Sequence, residues 1–116
     1  MARFTLKKQE PKESDIQSAI CEYLQLRKHF FWRNNTTGVQ RTTPDGRTFW
    51  TNSKYSMKGV ADIIIITDGG YAVFLEVKRP SGRLSPEQEE FKRKCEEKGC
   101  EYYRVTSIEQ CQEIGL

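Results

Sequence analysis

Apolar positions recur along this chain with two different periods. Between residues 14 and 28, Ile16, Ala19, Ile20, Tyr23 and Leu24 fall three or four apart, which lines one face of a helix. The runs ADIIIIT (61–67) and YAVFLEVK (71–78) are instead near-continuous blocks of β-formers. Asp68-Gly69-Gly70 separates them, so they predict two strands joined by a tight turn. FFWRN (30–34) and EYYRVT (101–106) read as further strands, and VQRTTPDGRTFWT (39–51) sets a Pro-Asp-Gly turn between two short β-forming runs, a hairpin signal. A second helix covers 86–98 and is stopped by Gly99, and a short third helix covers 107–114. Three helix starts share one grammar: Ser14 with Gln17, Ser85 with Gln88 and Ser107 with Gln110. Each fits a capping box, in which Ser bonds the third helical N–H and Gln reaches back to the cap. The order α, several β, α, β, α predicts an α/β fold, a mixed sheet flanked by helices.

Composition narrows the class. A chain of 116 residues, 36% hydrophobic and 30% charged, is one polar domain with a real core, too apolar for disorder. No apolar run approaches the ~18 residues of a membrane span, and the opening MARFTLKKQEPKES lacks the apolar stretch of a signal peptide. An intracellular protein of the cytoplasm or nucleoid is expected. Residues 1–12 are expected to form a flexible basic arm and 13–116 a single domain. Cys21, Cys95, Cys100 and Cys111 form no C-x-x-C pair, and His29 is the lone histidine, so buried reduced thiols fit better than a zinc site. The net charge of +3 is unevenly spread: residues 1–60 hold 11 Lys and Arg against 5 Asp and Glu, and residues 61–116 hold 8 against 11. A basic first half suits an anionic partner, nucleic acid being the commonest, although a solvated surface has the same composition.

The two confident strands carry charges where charge is expensive. One opens on Asp62, and the other ends on Glu76 and Lys78. Alternation puts Glu76 and Lys78 on one face. With a three-residue loop, Thr67 faces Tyr71, and the same register sets Asp62 opposite Glu76; a two-residue loop would miss that pairing. Facing carboxylates repel, and a divalent cation relieves them. Oxygen ligands beside basic residues favour Mg²⁺ or Mn²⁺ over zinc, with Lys78 aimed at a water or phosphate oxygen. The other reading of the same spacing is a Glu76–Lys78 ion pair at a strand end, with Asp62 capping a turn.

The stretch GVADIIII…FLEVKRPSGRLSPEQEEFKRKCEEKGCEYYRV resembles the VRR-NUC (virus-type replication-repair nuclease) domain, a branch of the PD-(D/E)XK nuclease superfamily, over residues 13 to about 105. The spacing D-x₁₃-E-V-K followed by RLSPEQ is the specific part; E-x-K alone is weak. The resemblance implies a restriction-endonuclease-like core in α-β-β-β-α-β order. It also implies that Asp62, Glu76 and Lys78 bind a divalent metal and cut phosphodiester bonds, with the Val77 carbonyl as a further ligand. A family glutamate at the start of the first helix carries over to Glu13, with Asp15 as the rival. A family glutamine in the later helix carries over to Gln88, whose other role is the capping box. Ala61 stands where the family has a proline; that proline stiffens the approach to the strand, so activity is still expected.

The function this implies is a metal-dependent DNA endonuclease of replication, recombination or repair, selective for branched or Holliday-junction-like structures and acting as a homodimer. A silent nucleic-acid-binding module with the same fold is the alternative. Lys58, Arg79 and Arg83 flank the carboxylates and suit neighbouring phosphates. In the hairpin region Arg41, Arg47 and Lys54 interleave with Phe49, Trp50 and Tyr55, as on a nucleic-acid surface. A solvated hairpin with Trp50 packed inward, or a dimer surface, fits the same pattern.

Overall fold

The computed structural model describes residues 9–34, 39–51 and 54–116. Its elements run α1 (Glu13–Leu26), β1 (Phe30–Arg33), β2 (Val39–Thr42), β3 (Thr48–Thr51), β4 (Ile63–Thr67), β5 (Tyr71–Val77), α2 (Pro86–Glu97), β6 (Glu101–Val105) and α3 (Ile108–Glu113). Four strands form a sheet in the order β1-β4-β5-β6, and β2 and β3 form a separate two-stranded hairpin. β1 and β5 run antiparallel to β4, whereas β6 joins β5 in parallel through α2. A parallel neighbour needs a crossover, and α2 supplies it.

Side-chain alternation divides the sheet between two cores. Ile63, Ile65, Val73, Leu75 and Val77 pack with Ile16, Ile20 and Leu24 of α1 and Cys111 of α3. Phe74 faces the other way, toward Phe91 and Cys95 of α2 and toward Tyr102. The even-numbered residues of β5 therefore lie under α2, and Glu76 is among them.

The β4–β5 turn is the three-residue loop. Thr67 pairs with Tyr71, the Gly70 N–H donates to the Thr67 carbonyl, and Gly69 and Gly70 both have positive φ. The register then runs without a slip to Ile63 opposite Leu75. In the β2–β3 hairpin, Gly46 (φ 87°) closes the Thr43–Gly46 turn.

Helix starts differ from the expected grammar at two of three places. At α2 the complete box forms: Ser85 accepts the Gln88 N–H, Gln88 caps the Ser85 N–H, and Pro86 takes the first helical position. At α3, Ser107 accepts the Gln110 N–H, but the Gln110 side chain accepts from Thr106 instead. At α1 the expected Ser14 cap does not form. Lys12 is the N-cap, with no side-chain cap bond among the described residues, and Ser14 lies inside the helix. Glu13 and Asp15 in the first turn face the positive end of the helix dipole, which favours the earlier start.

Helix ends follow one rule with different residues. After α2 the Cys100 N–H reaches the Cys95 carbonyl and the Gly99 N–H the Glu96 carbonyl, a Schellman closure with Gly99 at φ 82°. After α1, His29 reaches Leu24 and Lys28 reaches Gln25 in the same pattern, but Lys28 occupies the left-handed position at φ 61°. The expected helix to residue 28 therefore stops at Leu26.

Of the expected arm, residues 1–8 lie outside the described residues. Its described end is tied down: Glu10 accepts from both the backbone N–H and the hydroxyl of Ser81 and pairs with Arg79.

Candidate active site

Asp62 and Glu76 lie one step past the last ladder pair, Ile63 and Leu75, and the constant register sets them opposite each other. Two bonds fix Asp62: its carbonyl accepts the Asn34 N–H at 2.7 Å, and its Oδ2 accepts the Val77 N–H at 2.9 Å. The Asp62 carboxylate thus satisfies a donor of β5 that lies beyond the end of the β4 ladder. The expected alternative of a turn cap is not what forms: Asp62 bonds across the hairpin, to the residue after Glu76.

Glu76 is 1% exposed, the one charged side chain buried among the described residues. Its Oε1 accepts Gln88 Nε2 at 2.8 Å and lies 3.7 Å from Lys78 Nζ. Its Oε2 has no hydrogen-bond partner among the described residues. Burial pushes the Glu76 carboxyl up to about 8; the Asp62 charge adds to the push, and Lys78 opposes it. Glu13, although exposed, contributes a smaller push of the same sign. Asp15 lies elsewhere, lining a groove with Pro11, Ala19 and residues 106–109.

The flanking basic residues are dispersed. Arg79 and Arg83 belong to the loop after Lys78, and Arg83 lines a groove with Ser81, Lys92 and Arg104. Lys58 borders a different cavity, of about 370 Å³, with Met57 and the Pro86, Glu87 and Phe91 region of α2. Arg41 and Arg47 sit on the β2–β3 hairpin, whose main contacts are internal. Arg41 donates to Thr51 Oγ1, Arg47 pairs with Asp45, and Lys54 lies over the Tyr55 ring. Trp50 is 67% exposed, which excludes the inward-packed reading of that hairpin.

Three participants in this region carried no signal in the sequence. The buried Tyr102 hydroxyl has no partner among the described residues. Burial raises its pKa, as do the Glu76 and Asp62 charges. Gly59 (φ 77°) packs so close to α2 that an added Cβ would lie 2.4 Å from the Glu87 carbonyl oxygen. Glu10 reaches the Arg79–Ser81 loop from 71 positions away from Ser81.

The pair suits a hard cation in charge and in its open oxygen. Two carboxylates face each other, and Glu76 carries an unpartnered oxygen and a pKa that burial and the Asp62 charge raise despite the nearby Lys78. Among the described residues, no three His, Cys, Asp or Glu side chains converge as a metal cluster. Two carboxylates are enough for Mg²⁺, which keeps several waters of its own.

Comparison with known proteins places the chain in a family and matches its fold. The model of the VRR-NUC domain family matches residues 11–108. A solved structure described as a VRR_NUC domain superposes with a TM-score of 0.59 at 18% identity, covering 88% of this chain and 91% of that one. At that identity the likeness is one of fold: the same mixed sheet flanked by helices. No curated protein matches the chain. Among the described residues no helix is long and apolar enough to cross a membrane.

Proposed function

The chain belongs to the VRR-NUC domain family, and from that membership we propose that it is a divalent-metal-dependent DNA endonuclease selective for branched, junction-like DNA. The observation that carries the reading is Glu76: a buried carboxylate with a free oxygen, opposed by Asp62 and flanked by Lys78. Asp62, Glu76 and the Val77 carbonyl would hold Mg²⁺ or Mn²⁺. When bound, the ion supplies a Lewis acid for the phosphodiester and lowers the pKa of a nucleophilic water.

The chain's own residues do the rest. Gln88 fixes the Glu76 carboxylate through a donated hydrogen bond. Lys78, only 14% exposed at its side chain, brings an ammonium to the developing phosphoryl charge, where partial desolvation strengthens it. Glu13 adds negative potential from α1, which favours cation binding. Lys58, Arg79 and Arg83 contact strand phosphates, with Arg41, Arg47 and Lys54 on the hairpin extending that surface. Phosphate contacts position DNA without reading its sequence, which suits selection by shape.

Residues 13–116 act as one nuclease domain, and two copies associate. Phe30 and Trp32 on the edge strand β1 are 69% and 43% exposed and support such a contact. The four cysteines are free, which fits a reducing intracellular compartment.

The test is incubation of the pure protein with single-stranded, duplex, flapped and four-way DNA in Mg²⁺, Mn²⁺ or EDTA. Metal-dependent products that disappear in Lys78→Ala are expected. Tight binding with no product in any metal would replace this reading with a binding module.

A further inference from the structure

The segment after Lys78 makes a tight turn, Arg79-Pro80-Ser81-Gly82, in which the Gly82 N–H donates to the Arg79 carbonyl at 2.8 Å. Proline in the second place and glycine in the fourth are the residues such a turn prefers. From behind, the Arg104 guanidinium donates to the carbonyls of Arg79, Pro80 and Gly82, so the turn is braced by its acceptors. Three of its other donors converge on one carboxylate. Ser81 N–H reaches Glu10 Oε1 at 3.1 Å, Ser81 Oγ reaches Glu10 Oε2 at 2.7 Å, and Arg79 Nε lies 3.3 Å from Oε2.

A backbone N–H, a hydroxyl and a guanidinium converging on two oxygens of one anion form a phosphate-type site. We propose that the Arg79–Gly82 turn binds a backbone phosphate of nucleic acid, and that Glu10 occupies the site in the free protein as an internal competitor which the strand displaces. The proposal rests on nucleic acid being the ligand of this protein. The turn borders a groove of about 810 Å³ that also presents Arg83, Lys92 and Arg104, with Glu89 as its acidic member. A strand lying in that groove would continue past the turn. Glu10 lies three residues before Glu13, so its release would free the segment leading into α1.

Glu10→Gln is the direct test, with affinity for a labelled duplex oligonucleotide measured by anisotropy in EDTA. An exposed ion-pair competitor is worth a modest factor, so Glu10→Gln should bind roughly two- to fivefold tighter than wild type. Glu22→Gln removes the same charge from an exposed site on α1 and should gain less. In an Arg79→Ala, Ser81→Ala background the Glu10→Gln gain should vanish, because the anion has lost its donors. Inorganic phosphate titrated as a competitor separates the free ion from a strand phosphate. A gain for phosphate with unchanged DNA affinity would overturn the assignment to nucleic acid. Equal affinities for Glu10→Gln and Glu22→Gln would overturn the site itself, and so would a lower melting temperature for Glu10→Gln with no gain in binding, which marks a structural strut. Binding in EDTA is read without cleavage. A protein that cuts DNA yet fails this test keeps its nuclease function and loses only the Glu10 competitor.

Discussion

Gln88 joins a helix cap to the buried carboxylate. Its Nε2 donates to Glu76 Oε1 at 2.8 Å, while its own Oε1 accepts the Ser85 N–H at 2.8 Å. One amide therefore completes the capping box of α2 and fixes the Glu76 side chain. Two substitutions separate the roles. Gln88→Glu keeps the box, since glutamate fills it equally well, but replaces the donor with a third carboxylate. It should keep the cap but melt below wild type without metal, because a third carboxylate then meets buried Glu76. It should also lose at least about tenfold in cleavage, the scale of a lost charge-assisted hydrogen bond of about 1.5–3 kcal/mol. Gln88→Ala should lose both activity and about 1 kcal/mol of stability. Full activity in Gln88→Glu would reduce Gln88 to a cap.

Glu76 titrates in a direction that can be checked without DNA. Its folded pKa, about 8, lies above the ordinary value of 4.5, so the folded protein binds this proton more tightly than the unfolded chain. The stabilisation from it is complete below the unfolded pKa and is lost as pH rises through the folded one. The metal-free protein should therefore lose stability as pH rises from about 4.5 to about 8, the interval between the two pKa values, and Glu76→Gln should flatten that part of the curve. Metal binding needs the ionised form, so the Mg²⁺-induced rise in melting temperature should grow over the same interval. A wild-type curve parallel to that of Glu76→Gln would mean that Glu76 ionises normally.

Asp62→Asn probes the opposing carboxylate. The asparagine oxygen can still accept the Val77 N–H, and its amide can donate to Glu76, so the substitution removes repulsion and keeps the cross-hairpin bond. Without metal the variant should be as stable as wild type or more so, and cleavage should be lost. Mg²⁺ at ten times Kd should stabilise wild type by about 1.4 kcal/mol and the variant hardly at all. Asp62→Ala leaves the Val77 N–H without its partner and should cost about 1–3 kcal/mol. Thermal melts with and without Mg²⁺ decide the matter. Identical metal responses in wild type and Asp62→Asn would remove Asp62 from the ligand set.

The parts that were legible in the sequence are those in which local chemistry dictates geometry. Two consecutive glycines with positive φ made the three-residue loop, and that loop fixed the register that sets Asp62 against Glu76. The α2 cap was legible because Ser85, Pro86 and Gln88 all favour the same start. The α1 boundaries were not. Lys28 takes a position that usually advertises itself as glycine, and Lys12 caps without a side chain, so neither end announces itself. The sheet order, the Glu10 clasp and the buried Tyr102 hydroxyl depend on long-range packing, which no local pattern encodes.

Gly59 shows the same limit and gives the last prediction. It opens the run GVADIIII, where a glycine reads as an ordinary break before a strand. In the fold its φ of 77° and the approach of the α2 backbone leave no room for a side chain: a Cβ would stand 2.4 Å from the Glu87 carbonyl oxygen and 2.8 Å from the Gln88 nitrogen. Both obstacles are backbone, so no rotamer change relieves them. Gly59→Ala must push away the first turn of α2, and Gln88 moves with it. The expected cost is about 2–4 kcal/mol, from strain at a left-handed position together with steric overlap. Loss of the Gln88 contact should also free Glu76. Cleavage should then fall by more than the folded fraction accounts for, measured at a temperature where the variant is still folded. A Gly59→Ala protein with wild-type activity per folded molecule would show that α2 can shift without disturbing Glu76, and that the capping glutamine does not govern the carboxylate.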